Sequence, residues 1–301
     1  MTPRQNPKLK LPIIEGIIMS HIMEIMGKTR VVVKDGEVIE VGEPELEWCP
    51  LIDKLSGVQR ITSEEVKKNV EFKIKKYGMF TAKRHLLGRD TFVAFGASEI
   101  MMSGLRSGFL DATVTACDGA GTVISNNPEL VQGMGGRMSG LIKTEPISDV
   151  VDGIQKLGGI VFDTKTASID PVGGVKKAAE LGYKKVAVTT ADPKTAKKLR
   201  ELEAEFGLEL IVIAVHVTGV SRKEAQGLLE NSDLVTGCAS KYIRELAKPI
   251  VQVAAAIPLF ALTKKGKELV IEREKDIESP ILITTTELPV VPKHKQPRYL
   301  K

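Results

Sequence analysis

The sequence predicts an α/β protein with a largely parallel, doubly wound (Rossmann-like) sheet, open to a two-lobed arrangement, and an N-terminal β-hairpin appendage. From residue 147 onward, apolar runs alternate with amphipathic segments, a pattern typical of βαβ units. The runs are nearly continuous in apolar residues, as expected for parallel strands covered on both faces. Near the start, two β-rich runs (30–34 and 37–41) flank Asp35-Gly36, which is a strong signal for a type I′ hairpin turn.

Changes in patterning divide the chain into four predicted parts. These are an N-terminal arm and β-hairpin (1–60), a first α/β lobe with a glycine-rich loop (61–150), a second Rossmann-like lobe (151–272) and an extended basic tail (273–301). Capping signals mark helix starts in both lobes. Thr62 with Glu65 and Ser221 with Glu224 form the capping-box pattern, and Asp192-Pro193 opens a further helix.

Composition excludes several functional classes. The chain has 301 residues, of which 43% are hydrophobic and 27% charged, as in ordinary globular proteins. The net charge of +5 is spread along the chain and aromatic residues make up only 4%, so we expect no nucleic-acid partner. The apolar segment 11–26 is interrupted by Glu15, His21 and Glu24 and lacks a cleavage site, which predicts a cytoplasmic protein without a membrane span.

The stretch from Asp111 to Gly140 carries the first candidate site. Its opening run, 112–116, predicts a buried strand that breaks at Cys117, Asp118, Gly119 and Gly121. Ligands of α/β sheets bind at the carboxyl ends of strands. We therefore predict Cys117 and Asp118 as catalytic residues, and Gly119 and Gly121 as ligand-binding positions.

The second half of this stretch predicts a glycine-rich binding loop. Gly133, Gly135 and Gly136 would let backbone N–H groups approach a ligand, and Arg137 would supply a fixed positive charge. Gly135 or Gly136 should adopt positive φ or closely approach a ligand. The spacing matches neither the dinucleotide fingerprint nor the P-loop, so tight turns without a ligand are an equal alternative.

Three widely spaced cysteines form the candidate metal site. The segment from Asp233 to Cys238 repeats the pattern from Asp111 to Cys117, which places both thiols at the carboxyl edge of the sheet. Cys238 also precedes a predicted helix, a position that favours the thiolate, and Cys49 is the third candidate ligand. Three thiolates hold an iron–sulfur cluster with one open iron, or a metal completed by His or Asp. Buried structural thiols are the more common alternative when no CxxC spacing is present.

Several motifs together resemble one known family. They are Trp48-Cys49-Pro50-Leu51, the run 116–124 around Cys117, Asn127-Pro128, the run 131–140 around Arg137, and Gly237-Cys238-Ala239-Ser240. This combination resembles methanogenesis marker protein 8, a family of methanogenic archaea without an assigned activity. The resemblance implies a cytoplasmic protein of strict anaerobes, partnered with the methanogenesis machinery.

Three functional hypotheses follow. The leading one is a metal or iron–sulfur protein that matures methyl-coenzyme M reductase or its cofactor, using Cys49, Cys117 and Cys238. The second is a Rossmann-like enzyme acting on a phosphate- or carboxylate-bearing small molecule, with a Cys117 or Cys238 nucleophile and Arg137 as anion clamp. The third is a non-enzymatic assembly factor that binds through its basic tail. His216 is interpreted as a core or strand-end histidine, and Lys73 as a solvated helix residue.

Overall fold

The computed structural model describes residues 20–301, so the predicted N-terminal arm lies outside the described residues. Two β-sheets and the helices around them form the described structure. The helices are α1 (Pro50–Ser56), α2 (Ser63–Tyr77), α3 (Ala97–Arg106), α4 (Pro128–Gly135), α5 (Ser148–Lys156), α6 (Pro171–Glu180), α7 (Pro193–Phe206), α8 (Arg222–Asn231), α9 (Lys241–Leu246) and α10 (Lys264–Lys275). Across residues 20–301, no helix is long and apolar enough to cross a membrane.

The N-terminal hairpin belongs to a four-stranded antiparallel sheet. Its strands are β1 (His21–Ile25), β2 (Thr29–Lys34), β3 (Glu37–Val41) and β6 (Gly140–Lys143), in the order β3-β2-β1-β6. The predicted turn is confirmed, because Asp35 (φ 50°) and Gly36 (φ 76°) both adopt left-handed conformations. The hairpin is not an appendage, however, since β6 pairs with β1 from far along the chain.

The second sheet has eight strands and is mixed. Its further strands are β4 (Ala112–Cys117), β5 (Gly121–Ser125), β7 (Ile160–Val161), β8 (Lys185–Thr190), β9 (Glu209–Ala214), β10 (Leu234–Thr236), β11 (Val251–Val253) and β12 (Leu259–Ala261). The strand order is β11-β12-β10-β9-β8-β4-β5-β7, and parallel pairing is confined to the four central strands, from β10 to β4. The prediction of a largely parallel sheet is therefore only partly met.

Short connections explain the antiparallel edges. The strands β4 and β5 are joined by a tight turn in which Cys117 pairs with Gly121. The strands β11 and β12 are antiparallel neighbours separated by only residues 254–258. A parallel crossover needs a dozen or more residues, so neither connection can return the chain to the same edge of the sheet. The α/β class is confirmed, but towards its edges the sheet contains antiparallel pairs, of which β4–β5 and β11–β12 are joined by short turns.

Helices cover both faces of the eight-stranded sheet. On one face, α6, α7, α8 and α9 bury Val175, Leu199, Leu228 and Ile243 against the sheet. On the other face, α3 and α10 bury Ile100 and Leu269. The helices α7 and α8, which connect β8 to β9 and β9 to β10, lie on the same face, as right-handed crossovers between consecutive parallel strands require. The doubly wound, Rossmann-like arrangement stays a prediction, since the sheet is mixed.

The predicted glycine-rich loop is mostly helix. Asn127 accepts a hydrogen bond from Leu130 N, and Pro128 occupies the first turn of α4, which runs through Gly135. Gly135 belongs to α4 and Gly136 has a φ of −62°, so neither adopts positive φ, whereas the alternative of a close approach to a ligand stays a prediction. The reason for Gly133 is packing, because a Cβ at this position would lie 1.9 Å from the carbonyl oxygen of Leu86.

The C-terminal tail returns to the N-terminal region. Its Arg298 forms an isolated β-bridge with Trp48, and the guanidinium lies 4.6 Å from the indole ring. Lys301 N donates to Ala239 O at 2.9 Å, while Lys241 N donates to Lys301 O at 2.7 Å. These two hydrogen bonds hold the C-terminal residue against the segment 239–241, which follows β10.

Candidate functional site

A cleft of about 600 Å³ lies between the first turn of the N-terminal sheet and the carboxyl ends of β9 and β10. We call it the thiol cleft. The residues that define it chemically are Lys28, Cys49, Lys73, Tyr77, Arg137, His216 and Cys238. Its position agrees with the rule that α/β proteins bind ligands beyond the carboxyl ends of parallel strands.

Cys238 lies two residues beyond the end of β10 and has a φ of 35°. Its half-buried thiol donates to Thr236 Oγ1 at 3.3 Å. Arg244, on α9, donates through Nε to the Cys238 carbonyl oxygen at 3.0 Å and so fixes this backbone. The strand end, the following helix and the arginine together present the Cys238 side chain to the cleft.

Cys49 also lines this cleft. It precedes α1, whose first residue is Pro50, and burial raises the pKa of its thiol. Arg244 is electrostatically coupled to both Cys49 and Cys238, so one buried cation influences both thiols. The structure therefore brings two of the three predicted cysteines to one cleft.

His216 lies two residues beyond the end of β9 and also has positive φ, at 57°. Its Nε2 lies 2.7 Å from Glu24 Oε2 on β1, and this hydrogen bond lowers the pKa of Glu24. An ionised Glu24 accepts a hydrogen bond from Nε2–H, which leaves Nδ1 as the basic nitrogen. A Cβ at Gly140 would lie 2.4 Å from Nε2, so this glycine makes room for the ring.

Arg137 is held between aromatic rings. Its guanidinium carbon lies 4.3 Å from the Tyr77 ring centroid and 5.7 Å from that of Phe92. It donates to Gly133 O at 3.3 Å, whereas its buried Nε has no partner within residues 20–301. A planar cation fixed in this way is suited to binding a carboxylate or phosphate.

Lys73 adds a second, unusual cation. Its Nζ donates to Arg137 O at 2.8 Å, and desolvation together with the charge of Arg84 lowers its pKa to about 8. Burial disfavours the charged amine, so an anion that enters the cleft would restore a favourable environment for its proton.

The charge of the cleft is positive. Its lining contains the cations Lys28, Lys73, Lys76 and Arg137, whereas among the described residues Glu99 is the one lining carboxylate. Glu99 is already bound, because it accepts from Phe92 N at 3.1 Å, from Ser98 Oγ at 2.9 Å and from Gln132 Nε2 at 3.2 Å. With Phe72, Tyr77 and Phe92 also present, the cleft suits an organic anion with an apolar body.

The predicted site at the end of β4 is enclosed. Cys117 is fully buried among Met134, Val150 and Ile154, and desolvation raises the pKa of its thiol strongly. Asp118 accepts from Phe80 N at 2.6 Å and from Arg84 Nε at 2.9 Å, in an ion pair that is fully buried. These contacts hold the turn between β4 and β5 against the segment 80–84, which follows α2.

The predicted glycine positions divide between the two regions. Gly119 (φ 81°) and Gly121 (φ 67°) shape the buried turn, and a Cβ at Gly121 would lie 2.1 Å from Ala167 O. Gly135 and Gly136 line the thiol cleft at the end of α4, immediately before Arg137. Close protein packing surrounds both pairs, because a Cβ at Gly135 would lie 2.9 Å from Ser98 Cβ and one at Gly136 would lie 2.7 Å from Gln132 Nε2.

The three predicted thiolate ligands do not converge. Cys49 and Cys238 share the thiol cleft, and Cys117 lies in a separate buried cluster. In the part of the chain from residue 20 to 301, no group of three or more His, Cys, Asp or Glu side chains is arranged to hold a metal ion.

Sequence reasoning overlooked two residues of the cleft, His216 and Lys73, and also Glu24, which binds His216. His216 was interpreted as a core or strand-end residue, Lys73 as a solvated one, and Glu24 only as a break in an apolar segment. One signal was present for His216, which closes the apolar run 208–217 at a strand end. Glu24 reaches His216, and Lys73 reaches the Arg137 carbonyl oxygen, only through tertiary packing, which no local pattern reveals.

The chain belongs to an archaeal protein family. Residues 21–275 match the family model described as "Uncharacterized protein conserved in archaea (DUF2099)". A relative from Methanocaldococcus jannaschii, "Uncharacterized protein MJ0054", is 46% identical over 273 residues, which cover 90% of this chain and 96% of the relative. The narrower resemblance to methanogenesis marker protein 8 stays a prediction.

One solved structure shows a distant likeness. A chain of a nickel–iron hydrogenase complex from Methanosarcina barkeri is 14% identical, and the match covers 60% of this chain and 72% of that chain. With a TM-score of 0.34, this likeness carries no argument about fold or function.

Proposed function

We propose that this protein is an enzyme that binds a small organic anion in the thiol cleft and acts on it by proton transfer and thiol chemistry. Arg137 and Lys73 bind the carboxylate or phosphate group. His216, oriented by Glu24, transfers the proton, and Cys238 is the reactive thiol. The proposal corresponds to the second hypothesis drawn from the sequence, with Cys238 rather than Cys117 as the nucleophile.

One observation carries the proposal. His216 and Cys238 follow neighbouring parallel strands, open into the same cleft, and both have positive φ, at 57° and 35°. Such a backbone costs on the order of 1–3 kcal/mol for a residue other than glycine, and it persists where the surrounding structure enforces it. Six other residues besides glycine have positive φ in the described part of the chain. Met26, Lys28, Asp35 and Ala254 lie in turns between neighbouring strands, which favour this conformation, and Phe80 and Ala167 lie in loops, so it is the shared cleft that distinguishes His216 and Cys238.

The hydrogen bonds of the cleft assign the roles. Glu24 has a lowered pKa and is ionised at neutral pH, so it holds the proton on His216 Nε2. His216 Nδ1 is then free to accept a proton from a bound substrate, and no hydrogen bond to Nδ1 occurs within residues 20–301. Cys238 donates only to a neutral threonine hydroxyl, so its thiol is available for attack.

Charge-selective alkylation tests the arrangement without a known substrate. Iodoacetate is an anion and iodoacetamide is its neutral analogue. The alkylation rate of Cys238 with iodoacetate, divided by the rate with iodoacetamide, therefore reports the local charge. We expect Arg137→Met to lower this ratio several-fold, as a loss of ~1 kcal/mol of attraction implies. Arg106→Met is the matched control, because Arg106 pairs with Glu129 on the surface. An unchanged ratio in Arg137→Met would show that the cleft does not attract anions.

Deuterium exchange tests proton transfer. We would incubate a panel of organic carboxylates and phosphates with the protein in D₂O and follow mass gain. At least one compound should gain deuterium with the wild-type protein and lose that gain with His216→Gln. Cys238→Ser should retain the exchange if the thiol acts in a separate step. Exchange that is equal with and without His216 would contradict its role.

A metal function is the second candidate, and the pairing of Cys49 with Cys238 in one cleft favours it. In this version the two thiolates hold a metal or iron–sulfur centre in methanogenesis, with further ligands from a bound molecule or a partner. Iron and zinc content after anaerobic purification distinguishes the candidates. Cys49→Ser and Cys238→Ser should each lose the metal, and Cys117→Ser should keep it. Equal metal content in all three variants would exclude this candidate.

A further inference from the structure

The thiol cleft has an exposed apolar edge that the proposed function does not use. Leu55 on α1 and Phe72 on α2 both line the cleft, although Leu55 is 53% exposed and Phe72 is 52% exposed. We call these two residues the apolar rim. Cys49 and Arg137 line the same cleft and are only 7% and 8% exposed. The cleft therefore extends from buried functional groups to an apolar surface in contact with solvent.

The apolar side of α1 faces the cleft. Leu51, Ile52 and Leu55 all line it, and every residue of this helix remains at least partly exposed. Leu51 and Ile52 pack in part against the hydrophobic cluster that contains Cys49, whereas Leu55, one turn further along, is more than half exposed. An amphipathic helix normally buries its apolar stripe against other elements. The stripe of α1 is covered only in part and so offers aliphatic contacts to a ligand.

The side of α2 that lines the cleft combines apolar and cationic groups. Its lining residues recur at helical spacing: Asn69, Phe72, Lys73 and Lys76. The Nζ of Lys76 lies 5.3 Å from the centroid of the Phe72 ring. Lys73, the next residue after Phe72, donates to the Arg137 carbonyl oxygen at 2.8 Å. One helix face therefore connects the apolar rim to the cations proposed to bind the anion.

The aromatic rings of the cleft are already engaged with protein groups. The Tyr77 centroid lies 4.3 Å from the Arg137 guanidinium carbon and 5.3 Å from Lys76 Nζ. The Tyr77 ring also packs edge-on against Phe72 and Phe92, with centroids 6.2 and 6.4 Å away. The rest of the apolar lining is largely aliphatic: Met26, Leu46, Leu51, Ile52, Leu55 and Ile257. Aliphatic surface imposes no stacking geometry, so it suits a flexible hydrocarbon chain better than a second flat ring.

We infer that the substrate is an amphiphile, whose anionic head binds Arg137 and Lys73 and whose aliphatic chain leaves the cleft across the apolar rim. The head rests on the proposed function, and the chain is the new element. A hydrocarbon chain that covers Leu55 and Phe72 removes apolar surface from water on both sides of the contact, which is favourable. The exposed ends of α1 and α2 thus determine specificity for the chain.

The charges favour a single molecule over a macromolecular surface. Arg137 is 8% exposed and is held against Tyr77, so the flat surface of a lipid bilayer or a globular partner at the rim would not contact it. A chain that carries its own anionic group enters the cleft and meets both the cations and the rim. The position of the buried cation therefore selects a soluble amphiphile.

Titration calorimetry with straight-chain alkanoates tests the inference. Butanoate, hexanoate, octanoate and decanoate share one carboxylate and differ only in chain length. Full burial of a methylene group is worth about fourfold in affinity, so half-burial at the rim predicts about twofold for each added methylene. An affinity that does not rise with chain length, or a lack of decanoate binding, would overturn the inference. The charge-selective alkylation test of the proposed function does not depend on this result.

Substitutions at the rim locate the chain. Leu55→Ser and Phe72→Ser should each lower the affinity for decanoate about threefold and leave that for butanoate unchanged, whereas Leu55→Met should retain the wild-type series. Leu181→Ser is the matched control, because Leu181 is 44% exposed at the end of α6, away from the residues that line the cleft. A chain-length effect that survives both serine variants would place the chain elsewhere and overturn the inference.

Arg137→Met separates the inference from the proposed function. This variant should lower the affinity for all four alkanoates by the same factor and keep the dependence on chain length. An unchanged affinity in Arg137→Met, together with a chain-length effect that requires Leu55 and Phe72, would contradict the proposed binding of the anion and support the path of the chain.

Light scattering and vesicle sedimentation test the other occupants of the rim. Phe72→Ser should have the same oligomeric mass as the wild-type protein, and the two should sediment equally with phosphatidylglycerol vesicles. A lower mass in the variant would show that a second copy covers the rim. Vesicle binding that Phe72→Ser removes would show that a lipid surface does. Either result would overturn the inference.

Discussion

The ends of β4 and β10 begin from nearly the same sequence and reach opposite chemical environments. Each segment starts with an aspartate, Asp111 or Asp233, and reaches a cysteine at the carboxyl edge of the eight-stranded sheet. Cys117 is fully buried, whereas Cys238 is half-buried and lines the thiol cleft. The local pattern places a thiol at the edge, and the element that follows decides whether the thiol meets solvent.

The two continuations explain the difference. After Cys117 the chain turns back at once into β5, and an Arg84–Asp118 ion pair seals the turn. After Cys238 the chain enters α9, with Ser240 accepting from Ile243 N, and the cysteine stays at the cleft. The first region is therefore expected to govern stability and the second to govern binding and reactivity.

The largest effect on stability should come from removing the buried Arg84–Asp118 ion pair at the turn after β4. Arg84→Met leaves Asp118 as an uncompensated buried charge, so we expect a loss of about 3–5 kcal/mol in the free energy of unfolding. Arg106→Met loses only the surface ion pair with Glu129 and should cost at most about 1 kcal/mol. Urea denaturation measures both. Equal losses in the two variants would remove the distinction between the regions.

Lys73 belongs to both regions. It lines the thiol cleft, and its pKa is lowered by the charge of Arg84 and raised by that of Asp118 at the β4 turn. Its pKa of about 8 lies below the ordinary value of 10.5. The unfolded chain therefore binds more protons between these values, so stability should rise with pH across this window. Lys73→Met should stabilise the protein at pH 7 by on the order of 2 kcal/mol, less than the full shift implies because the side chain is only half-buried.

That stabilisation should fade as the pH rises from 8 to above 10.5, the ordinary value, because the neutral amine of the wild type no longer carries the penalty. Lys67→Met is the control on the same helix, since Lys67 is half-exposed and lies 3.8 Å from Glu71. Urea unfolding at pH 7, 9 and 11 measures the trend. A Lys73→Met effect that does not vary with pH would show that its amine is solvated.

The cysteines themselves provide a test of intermediate size. Cys117→Ser puts a hydroxyl into an apolar cluster and should cost about 1–2 kcal/mol, whereas Cys238→Ser should cost less than about 0.5 kcal/mol. In the native protein, iodoacetamide should modify Cys238 and leave Cys117 unmodified until unfolding. Peptide mapping by mass spectrometry reads out each site. Rapid labelling of Cys117 would mean that the β4 turn opens in the folded state.

The smallest effect concerns the Glu24–His216 pair. The pKa of Glu24 is lowered by the His216 hydrogen bond, so its contribution to stability is present above the ordinary value of 4.5 and is lost as the pH falls through the folded value. Glu24→Gln should cost about 0.5–1 kcal/mol at pH 7 and nothing at strongly acidic pH. Thermal unfolding at pH 7 and pH 3 checks this. A loss that persists at pH 3 would assign Glu24 a packing role.

Local patterns in the sequence determined much of the fold. The Asp35-Gly36 turn, the capping residues Thr62, Asp192 and Ser221, and the apolar runs of β8 and β9 each depend on neighbours within a few residues. Turn and cap geometries are local, so the sequence alone predicts them. The position of Cys238 just beyond a strand end also followed from local patterns. The binding role of Arg137 stays a prediction.

Only the tertiary structure decided which of these residues meet. The glycines near Arg137 do not form a loop, because Asn127 and Pro128 start a helix that Gly133 allows to pack on the Leu86 backbone. Glu24 reaches His216 across 192 positions of sequence. Side-chain burial and long-range contacts depend on how elements pack together, and strand or helix periodicity does not encode that packing.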